Sequence, residues 1–324
     1  MGMEMSEAQE LPPAIGALRF ERRNGGKNRT ADRRAVVGVQ VSPGALLLPP
    51  ELRPCFEAVL SGPALLERCS YTFALPKSDD DDRNQPLLRC SRCKVARYSS
   101  AEAQRRDWRG GSGAVGTVGL HSRECAALRA FAETSSSGSS HKVPPASIRL
   151  AARILWKQAA LLQGKEEKGG KEKGEKSPSA LSWWSSPGAV STLRHHFRAL
   201  PDGRKVETAA AAAAARSYMR GALTDEEKRR AAAAAAEEEE EEEEGEENKE
   251  GSSSSSPPSS APPPPPSPLS LLLPTSRRLA EILSTLACNA HALSDASQGT
   301  LSSYGVGLFP AAAMLNQTPS PHSL

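Results

Sequence analysis

Cys90 and Cys93 in RCSRC are separated by two residues, and His121 and Cys125 in HSREC by three. In this 324-residue chain these are the side chains best suited to chemistry. At the first spacing a tight backbone turn aims two sulfurs at one ion. At the second, a helix carries an imidazole and a thiolate on one face. Three thiolates and one imidazole close a tetrahedron. That is a structural zinc site, with no open position for substrate. The remaining cysteines, Cys55, Cys69 and Cys288, stand alone; Cys55 and Cys288 are expected as small core residues. His195, His196 and His291 have no partner at ligand spacing.

Six cysteines in a chain that opens MGMEMSEAQE, with no apolar run, predict a reducing compartment, nuclear or cytoplasmic, and metal rather than disulfides. Gly2 and Ser6 fit an N-myristoylation pattern, but no polybasic second anchor follows. No run approaches the roughly 18 apolar residues of a membrane span, so no membrane partner is expected. The net charge of +3 selects no partner, but its distribution is uneven. Residues 83–109 hold eight basic against two acidic side chains, and residues 237–250 eleven glutamates against one lysine. The basic stretch is suited to acidic partners or to nucleic acid. No recognition helix with base-reading side chains stands out to favour the second.

Around the candidate ligands the pattern predicts an α+β fold. Only 4% of residues are aromatic, so an aliphatic core has to come from about half the chain. In residues 14–60, Val36, Val37, Val39 and Val41, then Leu46, Leu47 and Leu48, flank Pro43-Gly44, the signature of two strands and a tight turn. In PPASIRLAARILWKQAALLQG, Ile148, Ala151, Ala152, Leu155, Ala159 and Leu162 recur at helical spacing. Pro145 suits the first turn and Gly164 the stop, which gives an amphipathic helix over 141–163. Residues 164–268 contain GKEEKGGKEKGEK followed by alanine, glutamate, serine and proline tracts. Their composition predicts a disordered, low-complexity insertion with transient helix at the alanines and polyproline character at the prolines. Leu279, Ile282, Leu283, Leu286 and Ala287 line a further helix, and YGVGLFPAAAMLNQ is an apolar strand or loop.

The stretch CSRCKVARYSSAEAQRRDW…HSREC resembles the MYND zinc finger. In that finger four ligand pairs are cross-braced, pairs one and three holding one zinc and pairs two and four the other. By this resemblance Cys90 with Cys93 is pair two, and His121 with Cys125 is pair four. Pair one falls on Cys69 and Thr72, and pair three on Ser99 and Ala103. One site is complete, and the other retains only Cys69 as a remnant. The resemblance therefore implies one zinc ion. The stretch RGGSGAVGTVGL before His121 lengthens the intervening loop by about ten residues, at a closure cost of roughly 0.4 kcal/mol. Structural zinc contributes on the order of 10 kcal/mol. The site should tolerate the insertion.

The order of elements resembles the SET- and MYND-domain family of protein lysine methyltransferases, in which the finger interrupts a SET domain. On this scheme residues 14–68 are N-terminal SET-like strands, 69–128 the finger, 141–163 a helix of the SET-inserted region and 276–324 a truncated C-terminal SET-like segment. Pro43, Gly44, Leu46 and Leu47 match the family's opening strands. Asp32 and Arg34 stand where it has glycines close to S-adenosylmethionine. Asn289 and Asn316 match positions near the cofactor, while Gln317, Thr318 and Pro319 replace histidine, serine and cysteine. The resemblance implies no catalytic residue within this sequence. It implies a finger that binds a protein or peptide partner, proline-rich segments among them. A longer form would be an S-adenosylmethionine-dependent lysine methyltransferase, for histones or other proteins.

Overall fold

The computed structural model describes residues 18–23, 32–37, 55–76, 86–109, 120–134, 143–168, 186, 188–230, 233, 268–294 and 303–315. Among the described residues, helices combine with three small antiparallel sheets, an α+β arrangement. β1 (Leu18–Arg23) pairs with β2 (Asp32–Val37), with Leu18 opposite Val37. The strand expected at Leu46–Leu48 lies outside the described residues. β3 (Glu57–Leu60), too short to carry a pattern, is fully buried. α1 (Ala64–Glu67) follows it.

Two strands near the end of the sequence complete the second sheet. β6 (Ala290–Ser294) and β7 (Ser303–Leu308) pair with each other, and β7 also pairs with β3, giving the order β3-β7-β6. YGVGL thus falls in the central strand. Gly305 is required there: a Cβ on it would stand 2.6 Å from the Val59 carbonyl oxygen. The chain then turns into α8 (Pro310–Leu315), which runs beside β2.

The finger begins with the minimal sheet of β4 (Leu88–Arg89) and β5 (Arg97–Tyr98). α2 (Ala101–Arg109) and α3 (His121–Thr134) follow. α4 (Ala146–Lys168) is the central helix and is buried at every residue from 148 to 159. It does not stop at Gly164. A glycine costs a helix only about 1 kcal/mol, and the flanking Gln163, Lys165, Glu166 and Glu167 are good helix formers.

Composition places residues 164–268 in a solvated insertion, and residues 188–230 correct that expectation. α5 (Asp202–Arg220) spans the first alanine tract and packs against α7 (Ser276–Asn289), with α3 and α4 also alongside. Ala212, Ala215, Tyr218 and Met219 are buried, as are Ala189, Val190, Leu193 and Leu223. Alanine is the strongest helix former and loses no side-chain entropy. A run of it therefore makes a smooth helix that larger anchors can seat closely. α6 (Pro268–Leu272) lies against α4.

α7 starts where the Thr275 hydroxyl accepts the Arg278 amide at 3.2 Å, an N-cap. Leu279, Ile282, Leu283 and Leu286 are buried as their spacing predicts, but Ala287 faces outward. Cys288 is exposed, because it falls on the last turn of α7 away from that face; Cys55 is buried.

Candidate metal centre

The turn at Cys90–Cys93 is built by backbone hydrogen bonds. The Cys90 amide donates to the Ala96 carbonyl at 2.9 Å, and the Lys94 amide donates back to the Cys90 carbonyl at 3.0 Å. Lys94 takes the left-handed conformation, φ 57°, that closes this turn. The Val95 amide points at the Cys93 sulfur, 3.5 Å away. His121 and Cys125 come from the first turns of α3, one turn apart, so both face the cysteine turn.

The four donor atoms lie within 4.8 Å of one another, and all four residues are buried. Cys90 Sγ is 3.9 Å from Cys125 Sγ; His121 Nε2 is 3.4 Å from Cys90 Sγ and 3.8 Å from Cys93 Sγ. Zn–S bonds of about 2.3 Å and a Zn–N bond of about 2.1 Å at tetrahedral angles require donor separations of roughly 3.6–3.8 Å. The set fits a zinc ion.

Two of the three thiols are lowered, Cys90 because its burial is outweighed by hydrogen bonds, and Cys93 with it. The Cys125 hydrogen bond brings Cys93 down to about 3, while Cys125 itself is pushed up, so the pair shares a proton that a metal would displace. Arg89, Arg92 and Lys94 stand exposed beside the site and offset its negative charge. The Arg92 guanidinium lies 5.5 Å from the centre of the Trp108 ring. Tyr98 and Trp108 meet the His121 ring edge-on, at 5.8 and 5.9 Å between centres, and hold its plane.

A second copy of the turn sits at Cys69. The Phe73 amide donates to the Cys69 carbonyl at 2.8 Å, the Cys69 amide donates to Ala74, and Phe73 is left-handed at φ 61°. Burial raises the Cys69 thiol, but hydrogen bonds from Thr72 and Ser99 outweigh it and bring the thiol below its ordinary value. The fold thus brings Cys69, Thr72 and Ser99 together, with Ala103 buried in the same core cluster. Thr72, Ser99 and Ala103 offer hydroxyls and a methyl group, not a thiolate or an imidazole.

Sequence reasoning missed the charge cluster behind the finger. Glu124, between the ligands His121 and Cys125, receives Arg149 Nη2 at 2.7 Å on Oε1 and Arg153 Nη1 at 2.7 Å on Oε2. Arg153 also binds Glu57 of β3 at 3.0 Å and approaches Asp107 of α2 at 3.8 Å. Asp107 accepts the Tyr98 hydroxyl at 3.0 Å, Arg149 donates to the Leu60 carbonyl at 3.1 Å, and Lys157 donates to the Phe56 carbonyl. Glu57, Asp107, Glu124, Arg149, Arg153 and Lys157 are all buried. Burial raises Glu57 and Asp107 despite Arg153. At Glu124 burial also opposes ionisation, but Arg149, Arg153 and His121 overcome it and hold the carboxyl at about 2. The available signal was the spacing of Arg149, Arg153 and Lys157, four apart along one line of α4.

Asn289, matched to a cofactor position by resemblance, is buried, and its amide donates to the carbonyls of Arg194 at 2.9 Å and Thr285 at 2.8 Å. Asn316 and the three residues after it lie outside the described residues. No described helix is long and apolar enough to cross a membrane.

The sequence profile of the MYND finger matches residues 67–125. The chain is 31% identical over 151 residues to the N-lysine methyltransferase SMYD2 of Gallus gallus, covering 47% of this chain and 27% of that protein. It is 33% identical over 73 residues to the human histone-lysine N-methyltransferase SMYD3, covering 22% and 13%. To the mouse histone-lysine N-methyltransferase Smyd1 it is 35% identical over 75 residues, covering 23% and 11%. The matches thus span about a quarter or less of these relatives. The chain carries a zinc-binding MYND finger and is similar, over part of its length, to SMYD lysine methyltransferases.

Proposed function

We propose that this protein is a MYND-type finger protein that acts through protein–protein contacts and holds one zinc ion through Cys90, Cys93, His121 and Cys125. The observation that carries this reading is the convergence of four buried donors within 4.8 Å of one another. The ion is structural: all four positions are filled by protein, and it supplies a cross-link between the cysteine turn and α3 rather than a reacting centre. The partner surface is the exposed basic side of the finger, Arg89, Arg92 and Lys94 beside the half-buried Trp108. An aromatic ring flanked by cations suits a peptide segment, proline-rich or acidic, in the nucleus or cytoplasm. Titration of the zinc-loaded chain with a proline-rich and with an acidic peptide tests this. Binding that is lost in Trp108→Ala supports it, and no binding of either peptide counts against it.

A second reading, an S-adenosylmethionine-dependent lysine methyltransferase, is favoured by the similarity to SMYD2 and SMYD3. Against it stand Asp32 and Arg34 at the family's cofactor glycines, and the engagement of the Asn289 amide within the fold. Calorimetric titration with S-adenosylmethionine separates the two readings. Heat at micromolar concentrations would establish the second, and none at millimolar concentrations supports the first.

A further inference from the structure

We infer that zinc binding by the finger and the seating of α4 against it form one linked equilibrium, transmitted by Glu124 as a positioning residue. The inference rests on the ligand assignment proposed above and adds to it. Glu124 follows His121 by three residues and precedes Cys125 by one, so it belongs to the helical turn that delivers half the ligands. Its two oxygens clamp two guanidiniums of α4, Arg149 through Oε1 and Arg153 through Oε2, each at 2.7 Å. Arg153 continues to Glu57 of β3, and Arg149 to the Leu60 carbonyl of the same strand. A parallel route leaves the ligand ring itself: Tyr98 packs edge-on against His121 and donates to Asp107, which faces Arg153.

Six buried ionisable groups are tolerable only as a set, because removing one partner leaves an uncompensated charge in a medium that solvates it poorly. Without the ion, the start of α3 is held to the Cys90–Cys93 turn only by weaker contacts, such as His121 Nε2 at 3.4 Å from Cys90 Sγ. Movement of that turn withdraws Glu124 from Arg149 and Arg153 together. In the other direction, a seated α4 fixes the first turn of α3, so two of the four ligands are oriented before the ion arrives. Such coupling is reciprocal: whatever α4 adds to zinc affinity, zinc adds to the seating of α4.

The test uses the full chain. Zinc affinity is measured by competition with a chromophoric chelator, and amide exchange is followed in residues 149–157 with and without zinc. Glu124→Gln should weaken zinc binding about tenfold or more. Glu57→Gln, which is not among the ligands and is linked to Glu124 through Arg153, should weaken it several-fold. Leu279→Ala in α7 should lower stability and leave zinc affinity within twofold, which separates coupling from general loss of structure. In the wild-type chain, zinc removal should accelerate exchange across residues 149–157; this measurement needs no variant and decides the matter if Glu124→Gln fails to fold. Equal zinc affinity in the folded Glu variants, with exchange in α4 indifferent to zinc, overturns the coupling alone. A wild-type chain that takes up no zinc overturns the ligand assignment and the coupling with it.

Discussion

The two cysteine turns of the finger differ in the side chains that meet them. Cys90, Cys93, His121 and Cys125 offer four soft or borderline ligands, whereas the Cys69 thiol is met by the hydrogen bonds of Thr72 and Ser99. Native mass spectrometry should therefore show one zinc per chain. Cys90→Ser should release it, and Cys69→Ser should leave the count at one. Two ions in the unaltered chain, or one that survives Cys90→Ser, would show that the ligands are assigned wrongly. Because the Cys69 turn keeps its left-handed closure at Phe73 and its hydrogen bonds, its geometry is still that of a ligand turn. The triple variant Thr72→Cys, Ser99→Cys, Ala103→Cys should accordingly take up a second ion in the same measurement. The four ligands were legible in the sequence because their spacings are local. The charge cluster was not, because Glu57, Asp107, Glu124 and Arg153 lie far apart in the chain and only the fold brings them together.

Among the elements, α4 and α7 could be anticipated from their 3.6-residue periodicity. α4 nevertheless differs from its pattern: a helix that looks amphipathic is buried all round, since the cations on its polar line are neutralised by carboxylates from β3, α2 and α3. The alanine tract misled in the opposite direction, because low complexity resembles disorder even where the helix is seated by Ala212, Ala215, Tyr218 and Met219. Tyr218→Ala should lower stability by about 3 kcal/mol in denaturant melts, the usual loss for a buried large side chain. A loss below about 0.5 kcal/mol would return α5 to the solvated class. In the central strand, Gly305→Ala should cost about 1–3 kcal/mol, since its methyl group meets the Val59 carbonyl. A neutral outcome in the same melts would mean that β3 and β7 are not in register there.

At the scale of the whole molecule, segments distant in sequence build one helical core around α4. α5 and α7 flank it, and Gly221, just past the end of α5, allows close approach to α3: a Cβ there would stand 2.7 Å from that of Ala130. Arg123 of α3 pairs with Glu227 at 3.2 Å, tying the stretch after α5 to the finger as well. Hydrogen exchange should find the α5 amides from 212 to 219 protected to the same degree as those of α7. Exchange at unfolded-chain rates would show that the tract is not part of the core.

The buried guanidiniums of α4 bear on how this finger can be inherited. Residues 67–134, moved alone to another protein, would carry Glu124 and Asp107 to a surface with no Arg149 or Arg153 opposite, and would leave behind Arg149 without its carboxylate and Arg153 with Glu57 alone. Both products of such a cut are worse than the whole. A zinc finger is commonly treated as an exchangeable cassette. This one can be shuffled only together with the helix that follows it.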